Sequence, residues 1–369
     1  MSNERFLAYY RLSGGKNEAF RKAKDICLEQ TVEFPLELVP AGFIRDQVLG
    51  RIESFRPAGK GAYEARISFA CATTGGELSQ LLNVLFGNIS IKPGIRLERF
   101  ELPSSLLRKF DGPLHGVAGL RRLLKAPRRP LLCTAIKPMG LSAAKLAELT
   151  FLFGMGGIDI VKDDHGLANQ PFARFMERVR LCTRAARTAS RRTGRPCLYA
   201  PNISGPHREV VRRALAAWRE GAGALLVAPG LTGFEIIHYL SCATRLPILA
   251  HPAFLGTYVL SPESGISHLA LFGQILRLAG ADASIFPNFG GRFSFSRGEC
   301  RAIAAGCRLR MGAVKPILPA PGGGMGLARV PEMLRFYGRD VLFLIGGGLF
   351  KDGPDITANA RRFRAMVVG

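Results

Sequence analysis

Hydrophobic and polar positions run along this chain in two successive rhythms. In the first stretch, 6–12, 47–55, 62–70 and 95–102 read as strands, the middle two by clear alternation of apolar and polar side chains. Between them, 18–28 and 77–85 carry helical spacing. The resulting order, β-α-β-β-α-β, predicts two helices against one sheet, the ferredoxin-like plan. A helical stretch over 114–125 then ends in Ala126-Pro127-Arg128-Arg129-Pro130, a plausible break. These signals divide the chain into an α+β domain over 1–112 and a second domain over 113–369.

In the second part, short apolar runs recur, each followed by a loop and a helical stretch. Eight such runs stand at 131–135, 158–161, 198–200, 224–227, 248–250, 283–286, 317–318 and 341–345. Helical spacing falls between them, for instance at 143–152, 172–191, 208–220 and 267–278. A doubly wound open sheet competes with a closed barrel for such a pattern, and the count of eight favours a (β/α)8 TIM barrel. The predicted fold class is therefore α/β, a ferredoxin-like α+β domain followed by that barrel.

A barrel concentrates its chemistry at the C-terminal ends of its strands, and polar residues cluster there. The first strand runs into Lys137-Pro138 and the second into Lys162-Asp163-Asp164-His165. The third ends at Asn202, the fifth at His251, and the sixth at Asn288-Phe289-Gly290-Gly291-Arg292. Strands seven and eight end in Gly322-Gly323-Gly324 and Gly346-Gly347-Gly348. Glycine lets backbone N–H groups approach an anion closely, and these two loops are the usual phosphate site of a barrel. In an extended strand Lys162 and Asp164 share a face, whereas Asp163 and His165 point away unless the strand ends there. Aspartate is a hard-cation ligand; a buried neutral lysine can serve as a base, or take up carbon dioxide and become an oxygen ligand. Lys137 is placed for acid–base or electrostatic work. His115, His207, His238 and His268 receive no assignment.

Composition adds one puzzle. The 369 residues carry a net charge of +23, with 39 arginines and 12 lysines. A basic nucleic-acid-binding protein is the first alternative this raises. The arginines are scattered singly and in pairs, however, and no block of like charge appears, so we expect no nucleic-acid partner. The eight cysteines include no C-x-x-C and mostly sit among apolar neighbours, as buried thiols of a reducing compartment do. The first residues lack the basic-then-apolar plan of a signal peptide, and no apolar run is long enough for a membrane span. The expectation is a cytoplasmic protein with no membrane partner.

Several motifs now carry a resemblance. Gly156-Gly157-Ile158-Asp159-Ile160-Val161-Lys162-Asp163-Asp164, followed by Asn169-Gln170-Pro171-Phe172, is similar to the activation motif of the RuBisCO large-chain superfamily. Thr134-Ala135-Ile136-Lys137-Pro138, Phe86-Gly87-Asn88, Ala250-His251-Pro252-Ala253 and Phe286-Pro287-Asn288 match further segments. Nearly end to end, the chain resembles the RuBisCO-like proteins, form IV, rather than the carbon-fixing enzymes. The resemblance implies Mg2+-assisted enolisation of a phosphorylated keto sugar. It casts Lys162 as the carbamylated lysine, Asp164 as a metal ligand and Lys137 as the lysine that handles the enediolate. Asn88 becomes a substrate contact reaching a partner subunit, His251 a residue near the substrate, and Gly322, Gly323, Gly346 and Gly347 phosphate loops. Asn202 and Arg292 join the substrate side, and Lys92 is a second candidate base through its closeness to Asn88. A homodimer or higher homo-oligomer with shared sites follows.

The departures are equally informative. His165 stands where the family has its third metal carboxylate, Met139 replaces a lysine, Gly290-Gly291-Arg292-Phe293 lacks the mobile-loop lysine, and Pro252 replaces an arginine. These changes suit a substrate with one phosphate and disfavour fixation of CO2 on a bisphosphate. Among form IV activities, 5-methylthioribulose-1-phosphate isomerase is placed first. A decarboxylase or C–C hydrolase of 3-oxo-isoapionate 4-phosphate and a 2,3-diketo-5-methylthiopentyl-1-phosphate enolase follow it.

Overall fold

The structure, a computed structural model, describes residues 4–293 and 295–368. Its first sheet joins β1 (Arg5–Ser13), β2 (Arg51–Pro57), β3 (Ala62–Ala70) and β4 (Ile95–Glu101) in the order β4-β1-β3-β2, all antiparallel. Helices α1 (Lys16–Glu29) and α2 (Leu78–Phe86) supply the two crossovers. Alternation along β1 buries Phe6, Ala8, Tyr10 and Leu12 against them, which gives this half its apolar core. The expected strand over 47–55 starts later, at Arg51, because Ile44–Val48 forms a π-helical turn. Gly50 then packs on α1, where an added Cβ would lie 2.8 Å from Cys27 Cα.

The second half is a TIM barrel entered through α3 (Gly116–Leu123). Its strands and helices alternate as β5 (Leu131–Ile136), α4 (Ala143–Met155), β6 (Ile160–Asp163), α5 (Phe175–Thr193), β7 (Leu198–Ala200), α6 (His207–Glu220) and β8 (Leu225–Val227). Then come α7 (Glu235–Thr244), β9 (Ile248–Ala250), a two-residue strand β10 (Gly265–Ile266), β11 (Ala283–Pro287) and α8 (Arg297–Arg308). The last units are β12 (Leu318–Gly322), α9 (Val330–Tyr337), β13 (Leu342–Leu344) and α10 (Ile356–Val368). Two parallel four-stranded sheets, β13-β5-β6-β7 and β12-β11-β9-β8, form the wall. A single bridge between Asn202 and Leu226 joins β7 to β8.

The other seam, β12 against β13, has a chemical cause. In a parallel strand, alternate residues turn their N–H groups to opposite neighbours. Leu318 donates to Asp282 O on the β11 side, and Gly322 O accepts from Asn288 there. Pro319 and Pro321 therefore face β13, where they have no N–H to offer. These prolines also explain why the sequence pattern stopped this strand at 318.

The small β10 was not expected. It adds to β4 in parallel register, Gly265 opposite Arg96. Gln274 strengthens the join, accepting from Phe100 N at 3.2 Å and donating to Phe100 O at 2.7 Å. The helix expected over 267–278 begins as a π-helical stretch, Leu269–Ile275, where Gly273 packs directly on Gly306.

Inside the barrel lies a separate apolar cluster of small and medium side chains, among them Leu131, Cys133, Ile160, Leu249, Leu318 and Leu342. Stepping two or four residues onward from these interior positions reaches Lys137, Lys162, Asp164, His251, Gly322 and Gly346. The strand period thus delivers the chemically capable residues to one mouth.

Candidate active site

Lys162 lies within β6 rather than after it, because that strand begins at Ile160, two residues later than expected. Just before it, Asp159 makes a bidentate contact with Arg129, 2.6 Å at each carboxylate oxygen. In the sheet register Lys162 is flanked by Ala135 and Ala200, two side chains small enough to leave its stem room. The amine is 3% exposed and donates to Asp163 O at 3.0 Å. Burial, with the charge of Lys137 adding to it, brings its pKa down to about 8 against the opposing pull of Cys133 and Asp163.

Asp163 faces the opposite way and is structural. Its carboxylate accepts from Tyr199 Oη at 2.6 Å, Asn202 N at 2.9 Å and Arg178 Nε at 3.1 Å, all buried. Arg178, in α5, also donates to Ala173 O and Ala168 O, so one buried ion pair fixes β6, β7 and the loop between β6 and α5.

β6 ends at Asp163, and the chain then turns His165 back over the mouth. His165 Nδ1 lies 3.1 Å from Asp164 Oδ1, and Asp164 also pairs with Lys137 from the end of β5. The rings of His165 and His251 stack, 4.9 Å apart and 8° from parallel. His251 Nδ1 accepts from Ala253 N at 3.1 Å, which leaves the ring proton of the neutral form on Nε2. Burial, then Lys162 and the other imidazole, keep the His251 pKa well below its ordinary value. Burial and the charges of Lys162, Lys137 and Arg292 lower that of His165. Burial and Arg292 lower that of Lys137.

Opposite these groups, Gly346 comes close to Lys137: a Cβ there would lie 3.6 Å from Lys137 Cε. The loops after β12 and β13 pack on each other, since a Cβ on Gly348 would lie 2.1 Å from Met325 O. A Cβ on Gly291 would likewise lie 2.1 Å from Gly323 O. Among the described residues, the N–H groups of Gly323, Gly324, Gly346 and Gly347 have no protein acceptor. A set of free backbone donors beside a lysine suits an anion.

A family model for the ribulose bisphosphate carboxylase large chain, catalytic domain, matches residues 116–290. Ribulose bisphosphate carboxylase-like protein 1 of Rhodopseudomonas palustris is 41% identical over 99% of this chain and 98% of its own. The chain belongs to the RuBisCO large-chain superfamily, among its RuBisCO-like proteins. A relative from Rhodospirillum rubrum named 5-methylthioribulose-1-phosphate isomerase is 38% identical, covering 99% of this chain and 97% of that one. The crystal structure of a Rubisco-like protein from Rhodopseudomonas palustris superposes with a TM-score of 0.88 at 40% identity, over 98% and 97% of the two chains.

In this RuBisCO-like protein the expected site residues fall into two groups. Lys137, Lys162, Asp164, His165 and His251 come together there, with the charge of Arg292 acting on two of them, Lys137 and His165. Asn88 is exposed in the first half and makes no side-chain hydrogen bond among the described residues. Lys92 lies in the first half as well, on the turn after Asn88. It is paired with Asp25 at 3.0 Å and Glu29 at 3.5 Å, and although burial opposes its charge, these partners raise its pKa. Asn202 is engaged within the chain as well. Its amide donates to His165 O at 2.8 Å and Leu167 O at 2.9 Å and accepts from Ser204 N, so it shapes the β6 loop. The Asp163–Arg178–Tyr199 support joins distant segments and is nearly invisible in the sequence. Outward parity of Asp163 was its one visible sign.

RuBisCO-family enzymes use Mg2+ with a carbamylated lysine. The donor set here fits a divalent cation: Asp164 offers a carboxylate, and Lys162, buried with a lowered pKa and in no ion pair among the described residues, is suited to react with carbon dioxide. His165 adds nitrogen where a third oxygen is expected. No helix among the described residues is long and apolar enough to cross a membrane.

Proposed function

We propose that this RuBisCO-like protein is an enolising enzyme of a singly phosphorylated keto sugar, with isomerisation of 5-methylthioribulose 1-phosphate as the first reading. The observation that carries it is the pairing of Lys137 and lowered-pKa Lys162 at one mouth with the free N–H groups of two glycine loops. The isomerase relative, similar over nearly the whole chain, supports the choice.

The phosphate would sit on Gly323, Gly324, Gly346 and Gly347, which places the adjoining carbons beside Lys137. A bound Mg2+, held by Asp164 and carbamylated Lys162 with His165 beside it, would polarise the carbonyl and make the neighbouring C–H acidic. Lys137, its pKa lowered by burial and Arg292, takes that proton at Nζ and returns one to the adjacent carbon. The same atoms leave as entered, so no oxidant or second substrate is required. His251, neutral with its proton on Nε2, can donate to an oxygen of the substrate without adding charge. Shared sites in a homodimer would give exposed Asn88 its role at the partner's mouth.

A second reading, decarboxylation of 3-oxo-isoapionate 4-phosphate, draws on Arg292. This exposed cation is felt by Lys137 and His165 and could anchor a substrate carboxylate. Incubation of the protein with each substrate in D2O separates them. Deuterium entering 5-methylthioribulose 1-phosphate, with product and without CO2, is the expected result. Absence of exchange and of product there would overturn the first reading, and CO2 release from the keto acid would establish the second. Pro252 and the missing loop lysine further predict no incorporation of labelled bicarbonate with ribulose 1,5-bisphosphate.

A further inference from the structure

Away from the barrel mouth, three metal-type donors meet from two distant stretches of chain. Asp111 lies on the connector that leads from the first sheet to α3. His238 and Cys242 stand four residues apart on α7 and so project from one face. Asp111 Oδ2 lies 3.7 Å from His238 Nε2, and Cys242 Sγ lies 3.7 Å from the same nitrogen. All three donor atoms fall within 4.8 Å of one another. Tetrahedral zinc with ordinary bond lengths puts neighbouring donors about 3.3–3.6 Å apart. Both separations from His238 Nε2 are therefore within a few tenths of an ångström of a zinc-type arrangement before any metal enters, and the Asp111–Cys242 pair, within 4.8 Å, closes by side-chain rotation.

The surrounding backbone holds this approach. Gly280, at φ +98°, lies between the connector and the helix: a Cβ there would meet Gly112 O at 3.3 Å and His238 Cα at 3.6 Å. Further along the connector, the His115 ring pairs through Nε2 with Arg245 O at the end of α7, 2.9 Å away. Backbone N–H groups of His115 and Gly116 donate to Asp282 Oδ1. The segment carrying Asp111 is thus docked on the helix that carries the other two donors. A cavity of about 330 Å³ adjoins Asp111 and His238, and the carboxylates of Glu77 and Glu235 line it with the single ammonium of Lys109. It leaves room for a water as fourth ligand and keeps an excess of negative charge near the site. Cys242 is exposed, whereas six of the other seven cysteines are buried.

We propose that Asp111, His238 and Cys242 form a binding site for a zinc-type divalent cation that fastens the connector to α7. Thiolate with imidazole selects such a metal over Mg2+, which favours oxygen. The site shares no residue with the barrel mouth, and its test is independent of turnover.

Cobalt(II), and then zinc, is titrated into the full chain kept in excess Mg2+. The expected result is a thiolate-to-cobalt charge-transfer band that saturates at one equivalent and is bleached by zinc. Cys242→Ser should abolish the band. His238→Ala and Asp111→Asn should weaken zinc binding by about tenfold or more, the scale on which even outer-shell changes act. Zinc should raise the thermal midpoint of the native chain and not of Cys242→Ser, with turnover unchanged in both. No thiolate band on the native chain, or a band that survives Cys242→Ser, would overturn the site. So would zinc affinity untouched by both His238→Ala and Asp111→Asn, which would mean binding by the thiol alone.

Discussion

His165 and His251 lie face to face, 4.9 Å between ring centroids and 8° from parallel, with Lys162 and Lys137 acting on both. Burial and those two amines both disfavour a proton charge on either ring. The His251 pKa, driven down first by burial, lies well below 6.5 in the folded chain. Its neutral form then contributes stability that is fully present above 6.5 and is lost as pH falls from there toward the folded value. Urea midpoints measured from pH 7.5 down to about 5 should decline in the native chain and decline less in His251→Gln. Equal slopes would show that the ring titrates as it does in the unfolded chain.

Lys162 offers the opposite trade. Its pKa is brought from 10.5 to about 8, chiefly by burial, so the folded chain resists the protonated amine. The penalty is fully expressed below about 8 and fades as pH rises toward 10.5. Lys162→Met should abolish turnover yet stabilise the fold at pH 7 by something on the order of 3 kcal/mol, a gain that shrinks at pH 10. Thermal midpoints at the two pH values, with an activity assay, check both halves. For the same reason, activation by bicarbonate should accelerate as pH rises through about 8, where the neutral amine becomes abundant.

Much of this mouth was legible because strand period does the placing. Lys137, Lys162, Asp164 and His251 follow interior positions of their own strands at even spacing, and alternation is visible in any sequence. The ferredoxin-like order was equally legible, since antiparallel neighbours can be read from short connections. What stayed hidden depends on contacts between distant segments. Nothing local says that Asn202 spends its amide on His165 O and Leu167 O, or that Asp25 and Glu29 claim Lys92. The strand β12 was cut short because its prolines read as a stop, and only its place at a seam makes them harmless.

Asp163 and Arg178, neither of them exposed to solvent, carry the support of the site. Removing one partner leaves the other charge buried and uncompensated, so Asp163→Ala should cost about 3–5 kcal/mol. Urea unfolding measures that loss. Asp163→Asn keeps an acceptor for Tyr199 Oη and should recover part of it. In variants that still fold, the loop carrying Asp164 and His165 loses its anchor, so turnover should fall. A small stability change in Asp163→Ala would mean that the pair is not the anchor of this loop.

The two glycine loops separate packing from binding. At Gly348 a Cβ would collide with Met325 O at 2.1 Å, and neither backbone can yield without moving the other loop. Gly348→Ala should therefore destabilise the chain by about 1–3 kcal/mol, the scale of overpacking in a tight contact. At Gly346 the same methyl meets Lys137 Cε at an ordinary 3.6 Å. Gly346→Ala meets no such collision and should melt above Gly348→Ala. Its methyl nevertheless occupies the space between Lys137 and the free N–H groups, where the phosphate is expected. KM for the phosphorylated substrate should rise, while turnover of a dephosphorylated analogue, already slow, changes little. A Gly346→Ala enzyme with unaltered KM would remove the phosphate from this loop.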